Sequence, residues 1–208
     1  MNKLKNTKFV TLLGVLLAIE IILAVTPIGF IPLGFTKATT VHIPVIIGAI
    51  FLGPVGGLIL GSTFGILSII MNTVSPALTS FVFSPFITVG GTTGNLWSIV
   101  VALVPRMMIG ITAYYSYKWV KKWNDKGIIA YATAGIVGSL TNTLLVMGGI
   151  YIFFGQQYAA AKEVAFEALF GVIIGIIGMN GIPEAIVAAI IVATLCKVLK
   201  SIFRTKLY

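Results

Sequence analysis

Thr36-Lys-Ala-Thr-Thr-Val-His-Ile-Pro-Val-Ile-Ile-Gly-Ala49 is the stretch on which the reading of the chain turns. It joins a hydroxyl-rich approach to an apolar helix that starts at a proline. Pro44 suits the first turn of a helix, where its missing N–H would have had no partner. Ahead of it stand Lys37, Thr39, Thr40 and His42, the one histidine of the chain, and behind it Val45 to Leu52 carry no polar side chain. Two readings fit. Lys37, Thr39, Thr40 and His42 either form a polar substrate mouth on the lip of a buried helix, or belong to an interfacial loop that caps a membrane helix.

Composition decides the class. Of 208 residues 58% are hydrophobic and 9% charged, with a mean hydropathy of +1.09. Soluble domains carry about 25% charged residues, so this chain could not cover a water-facing surface and reads as an integral membrane protein. The net charge is +9. The basic residues gather at a few loops, which marks topology and contact with anionic lipid and not a nucleic-acid partner. The single cysteine, Cys196, excludes an intrachain disulfide and a cysteine metal cluster. No HExxH, phosphate loop or Cys–His set is present, so neither an enzyme nor a metal or cofactor site in this chain is expected.

Outward from the opening stretch, the apolar runs predict an all-α bundle of six transmembrane helices in one domain, residues 1–208. Helix one spans Phe9 to Val25 behind Lys3, Lys5 and Lys8. A first outer loop, Thr26 to Ile43, follows with Pro27, Gly29, Pro32 and Gly34. Helix two, about Val41 to Leu52, is only roughly 18 Å long against a ~30 Å hydrocarbon core. Gly53-Pro54 makes a tight turn, and helix three runs to about Met71. Asn72 to Thr93 is an uncharged loop rich in Phe (Phe81, Phe83, Phe86) that should fold back as a lid or plug. Helix four covers about Asn95 to Val120 and helix five Ile128 to Phe154. Lys118 to Lys126 and the end with Lys197, Lys200, Arg204 and Lys206 should both be cytoplasmic. One crossing can then follow helix five, so helix six takes Asn180 to Leu199 and Glu163 to Gly178 lies on or dips into the outer side. Both termini are expected in the cytoplasm.

Side-chain faces carry the functional reading. Small residues four apart let membrane helices approach closely, as in Gly57-Gly61-Gly65, Ser98-Ala102-Gly110, Ala130-Ala134-Gly138 and Ala185-Ala189-Ala193. In helix one Glu20 lies roughly 200° around from Ala18. A carboxyl in the membrane faces protein or water, so Gly14 and Ala18 should face outward as a notch for a partner helix. Arg106 and Glu20 each stand roughly 18 Å, and Glu184 about 20 Å, above a cytoplasmic lysine, with Asn142 slightly higher. Arg106 could lock the bundle by pairing with Glu20 or Glu184, or it could hold a ligand. Trp97, near the start of helix four beside Asn95, is a candidate pocket wall.

At Thr39-Thr-Val-His-Ile-Pro-Val-Ile-Ile-Gly-Ala-Ile-Phe-Leu-Gly-Pro54 the chain resembles a substrate-binding subunit (S component) of an energy-coupling factor vitamin transporter. Ser80-Phe-Val-Phe-Ser-Pro-Phe86, Val104-Pro-Arg-Met-Met-Ile-Gly110 and Asn180-Gly-Ile-Pro-Glu-Ala-Ile-Val-Ala-Ala189 extend the resemblance over nearly the whole length. Pantothenate-type members are most similar, with hydroxymethylpyrimidine members close behind. The resemblance implies a six-helix fold and a vitamin site near the outer face. It also implies a transmembrane coupling subunit with two cytoplasmic ABC-type ATPases, which alone use ATP, in a bacterial cell membrane. Gly14-x-x-x-Ala18 matches the family's Ala-x-x-x-Ala contact in size though not in identity. The pantothenate carboxylate would suit the Arg106 fork. The substrate-binding candidates are then Arg106, Asn142, Glu184, Asn180, Trp97, Asn95, His42 and Thr40. A stand-alone secondary transporter is the competing class, but its paired broken helices have no counterpart in an internal repeat here.

Overall fold

The computed structural model describes residues 7–33, 36–123 and 127–202, with the backbone alone at 28, 30–33, 36–38 and 202. Lys3, Lys5, Gly34, Phe35, Lys126, Arg204 and Lys206 lie outside the described residues, as do the side chains of Phe30 and Lys37.

The architecture is helical. Helix α1 (Thr7–Val25) buries Leu12, Leu13, Leu16 and Glu20 on one face. The first loop is more ordered than its prolines and glycines suggested: strands β1 (Phe30–Leu33) and β2 (Thr36–Thr39) pair antiparallel, with Phe30 opposite Thr39. Helix α2 (Ile43–Val74) starts with Pro44 in its first turn and His42 at its N-cap. Gly53 breaks it with φ 77°, a conformation open to glycine, and Pro54 follows. The chain reverses there, because a Cβ on Gly57 would meet Ala49 Cβ at 2.9 Å and one on Gly48 would meet Leu60. Residues 43–52 and 54–74 are thus two arms of a helical hairpin, as the Gly53-Pro54 turn predicted.

The second arm lies along α3 (Leu96–Trp123) at backbone contact. A Cβ on Gly57 would sit 2.8 Å from Gly110 Cα, and one on Gly61 would strike the Arg106 carbonyl. The glycine track therefore sets the distance between these helices. The expected plug folds back onto the bundle: Phe81 and Val82 in a single turn (Ser80–Val82) are fully buried and pack with Val101 of α3 and with Phe154 on the helix that follows it. A two-residue ladder, β3 (Thr88–Val89) with β4 (Thr92–Thr93), turns through Gly90 and Gly91, both at positive φ. Ser80 donates to Asn72 Oδ1 at 2.6 Å and Ser98 to the Phe81 carbonyl at 2.7 Å, pinning the loop to both neighbouring helices.

Helix α4 (Ile128–Ala161) continues about two turns past the predicted end at Phe154. Glu163 to Gly178 contains a helix, α5 (Phe166–Ile176), which packs Leu169 and Ile173 against α4 and runs on through a five-residue π stretch (Ile177–Gly181) into α6 (Ile182–Ile202). Pro183 explains the π stretch: with no N–H it cannot bond a carbonyl one turn back, and the ladder widens just before it. Among the described residues five helical stretches are long and apolar enough to cross a membrane: Thr7–Val25, Ile43–Val74 with the hairpin counted as one, Leu96–Trp123, Ile128–Ala161 and the continuous Phe166–Ser201. The start of α1 and the end of α6 share one end of the bundle, and the two β ladders mark the other.

Candidate functional site

Two groups of buried polar side chains stand out. The first surrounds the start of α2. Thr40 is held by its neighbours, its N–H and hydroxyl both donating to the Gly29 carbonyl, at 2.8 and 3.1 Å. Its hydroxyl closes the loop that delivers His42. His42 is 1% exposed, and its carbonyl accepts the Ile46 N–H at 3.2 Å. Its imidazole makes no cap bond, and neither ring nitrogen has a partner.

Helix α4 faces this point. A Cβ on Gly138 would meet Ile46 Cγ1 at 2.8 Å, and one on Gly181 would meet Thr143 Cγ2 at 2.9 Å. Ser139 and Asn142 stand between those two contacts, and Ser139 Oγ and Asn142 Oδ1 are buried without partners. From the third side Glu184, in the first turn of α6, accepts the Thr39 N–H at 2.9 Å and ties the β1–β2 hairpin to the bundle. Asn180 is half-buried in the π stretch, a feature that recurs at functional sites because it frees carbonyls and redirects side chains. The structure thus brings His42, Asn142, Asn180 and Glu184 around one interface. Ser139 joins them unforeseen; its signal was its position one residue past Gly138, on a helix flank already assigned to packing.

The second group is Arg106. It is 7% exposed and sits between α3, the second arm of α2 and the plug. Nη1 donates to the Val101 carbonyl at 2.8 Å, Nη2 reaches Ser68 Oγ at a long 3.5 Å, and Nε has no partner. The rings of Phe64 and Phe83 lie 5.4 and 5.1 Å from Cζ. The bundle-locking ion pair does not form: Glu184 is engaged by Thr39, and Glu20, 0% exposed on α1, has no hydrogen-bond partner for either oxygen. Two aromatic faces soften the desolvation of the guanidinium but do not neutralise it. An isolated buried charge is costly, and this one keeps donors aimed at no protein acceptor. Phe64, Ser68 and Phe83 were missed as its neighbours because they come from two other segments of the chain.

Two candidates have local roles. Asn95 is exposed and caps α3, its side chain accepting the Trp97 N–H at 2.8 Å while its own N–H donates to Ser98 Oγ at 3.0 Å. Trp97 is 50% exposed and stacks on Phe153, with centroids 4.2 Å apart and planes at 8°. On the far side of α1, Gly14 and Ala18 are exposed, and a Cβ on Gly14 would meet nothing within 4 Å.

The sequence matches the family described as "ECF transporter, substrate-specific component" over residues 8–196. The pantothenic acid transporter PanT of Lactococcus lactis subsp. cremoris is 38% identical over 160 residues, which cover 74% of this chain and 79% of that protein. The pantothenate transporter PanT of Leuconostoc mesenteroides subsp. mesenteroides is 27% identical over 207 residues, 93% of each chain.

Proposed function

Because the chain belongs to the substrate-specific components of energy-coupling factor transporters, we propose that it captures pantothenate at the outer face of a bacterial cell membrane for uptake. It is a multi-pass membrane transport protein and not an enzyme. Membership implies a small-molecule substrate and a partnership with an energy-coupling module. That module consists of a transmembrane coupling subunit and two cytoplasmic ABC-type ATPases, which use the ATP. Lys118, Lys121, Lys122, Lys197 and Lys200 cluster at the end of the bundle that holds the start of α1 and the end of α6, which supports six helices with cytoplasmic termini. The exposed Gly14–Ala18 face of α1 is the docking surface for the coupling subunit.

The observation that carries the choice of vitamin is the buried, unneutralised Arg106. A carboxylate takes two parallel hydrogen bonds from a guanidinium fork and supplies the missing charge. Pantothenate brings that carboxylate, while its amide suits Asn142 and His42, whose buried atoms lack partners. Two relatives that bear pantothenate in their names support the same ligand. A neutral hydroxymethylpyrimidine would leave Arg106 uncompensated. Calorimetric titration of the purified chain, alone in detergent, tests this. Pantothenate should bind with one site per chain. Heat only from hydroxymethylpyrimidine would reverse the assignment, and unaided uptake in liposomes would favour a stand-alone transporter.

A further inference from the structure

Glu20 is the most completely buried acid in the described residues and the least explained. It extends the Leu12–Leu16 face of α1 by one turn, in a position where a leucine would fill the same core without a charge. Neither carboxyl oxygen has a partner. Its surroundings follow from one contact: a Cβ on Gly48 would meet the side chains of both Leu60 and Leu16. Helix α1 and the second arm of α2 run toward the same end of the bundle. One turn further along each come Glu20 and Phe64, at one level of the bundle, and the Phe64 ring lies 5.4 Å from Arg106 Cζ. An acid and a guanidinium therefore stand near one level of the bundle without pairing.

We infer that Glu20 is a second recognition residue, which accepts hydrogen bonds from the ligand's hydroxyl groups while Arg106 holds its carboxylate. This rests on the reading of the ligand as a hydroxylated acid. The chemistry of the two ends is complementary: Arg106 only donates, and the Glu20 carboxyl can accept. A ligand with an acid at one end and hydroxyls at the other satisfies both. An acid without hydroxyls leaves a buried carboxyl unpaired, and such mismatches are rejected more strongly than missing apolar contact. Glu20 thus selects against simple carboxylic acids that Arg106 alone would accept.

The test uses pantothenate and N-(3,3-dimethylbutanoyl)-β-alanine, which keeps the carboxylate, amide and methyl groups but lacks both hydroxyls. Wild-type protein should prefer pantothenate by more than tenfold in Kd. Glu20→Leu should bring that ratio close to one and melt no earlier than wild type, because an apolar side chain replaces a buried carboxyl that has no partner in the protein. Its preference for pantothenate over the neutral alcohol pantothenol, which reports on Arg106, should survive. Glu20→Gln, which keeps shape and one acceptor, should give an intermediate ratio and serves if the leucine variant fails to fold. A hydroxyl preference unchanged in both variants overturns the inference and leaves the pantothenate reading standing. A wild-type chain that binds no pantothenate overturns both.

Discussion

Arg106→Gln separates a ligand-binding guanidinium from a structural one. In the protein the guanidinium has one good bond to the Val101 carbonyl, one long approach to Ser68 and an unpartnered Nε. Glutamine keeps an amide donor for Val101 and removes the charge. Because no carboxylate loses its partner, folding should be unimpaired, and thermal melting in detergent should match or exceed wild type. Binding should suffer instead. Truncating one side of a buried, hydrogen-bonded charge pair costs about 2–5 kcal/mol, which is about 30-fold to about 4,000-fold in Kd at 1.4 kcal/mol per decade. Isothermal titration with pantothenate and with pantothenol gives the decisive comparison. Wild type should favour the acid, and the variant should bind acid and alcohol alike. Wild-type affinity for pantothenate in the variant, or an equal loss for both ligands, would refute a carboxylate contact at Arg106.

Other substitutions probe the frame around the site. Gly61→Ala places a methyl against the Arg106 carbonyl, so α2 and α3 must separate, and melting should show a loss of about 1–3 kcal/mol. Gly14→Leu adds bulk where no atom lies within 4 Å; the isolated chain should melt and bind ligand as before, yet fail to co-elute with the coupling module. Glu184→Ala removes a charge-assisted bond to the Thr39 N–H worth about 1.5–3 kcal/mol. Amide exchange across β2 should then quicken about tenfold to a hundredfold, whereas unchanged exchange would detach Glu184 from the hairpin.

Much of this was legible in the residues. Gly53-Pro54 announced the hairpin, since one residue opens positive φ and the next bars a helical N–H. The helical angle between Ala18 and Glu20 placed one outward and the other in the core, where the structure puts them. Features that depend on distant partners were hidden. The strand pairing of the first loop joins residues across a turn, and apolar composition does not report it. Charge counting pointed to a single crossing after α4, but it did not reveal that the segment ahead of α6 is a helix continuous with it. Arg106 and Glu20 are buried and Glu184 half-buried, yet Glu184 bonds a backbone amide, a choice set by where the hairpin lands. The role of Asn95 was readable and overlooked: Asn-x-x-Ser ahead of an apolar run is a helix-start pattern.

Without its partners, this chain should hold an acidic vitamin in its own interior. Native mass spectrometry of the chain purified alone from cells supplied with pantothenate shows whether it does. A complex heavier than the bare chain by one pantothenate, lost in Arg106→Gln, is the expected result. A bare chain that stays bare when pantothenate is added, or a bound neutral pyrimidine in its place, would contradict it.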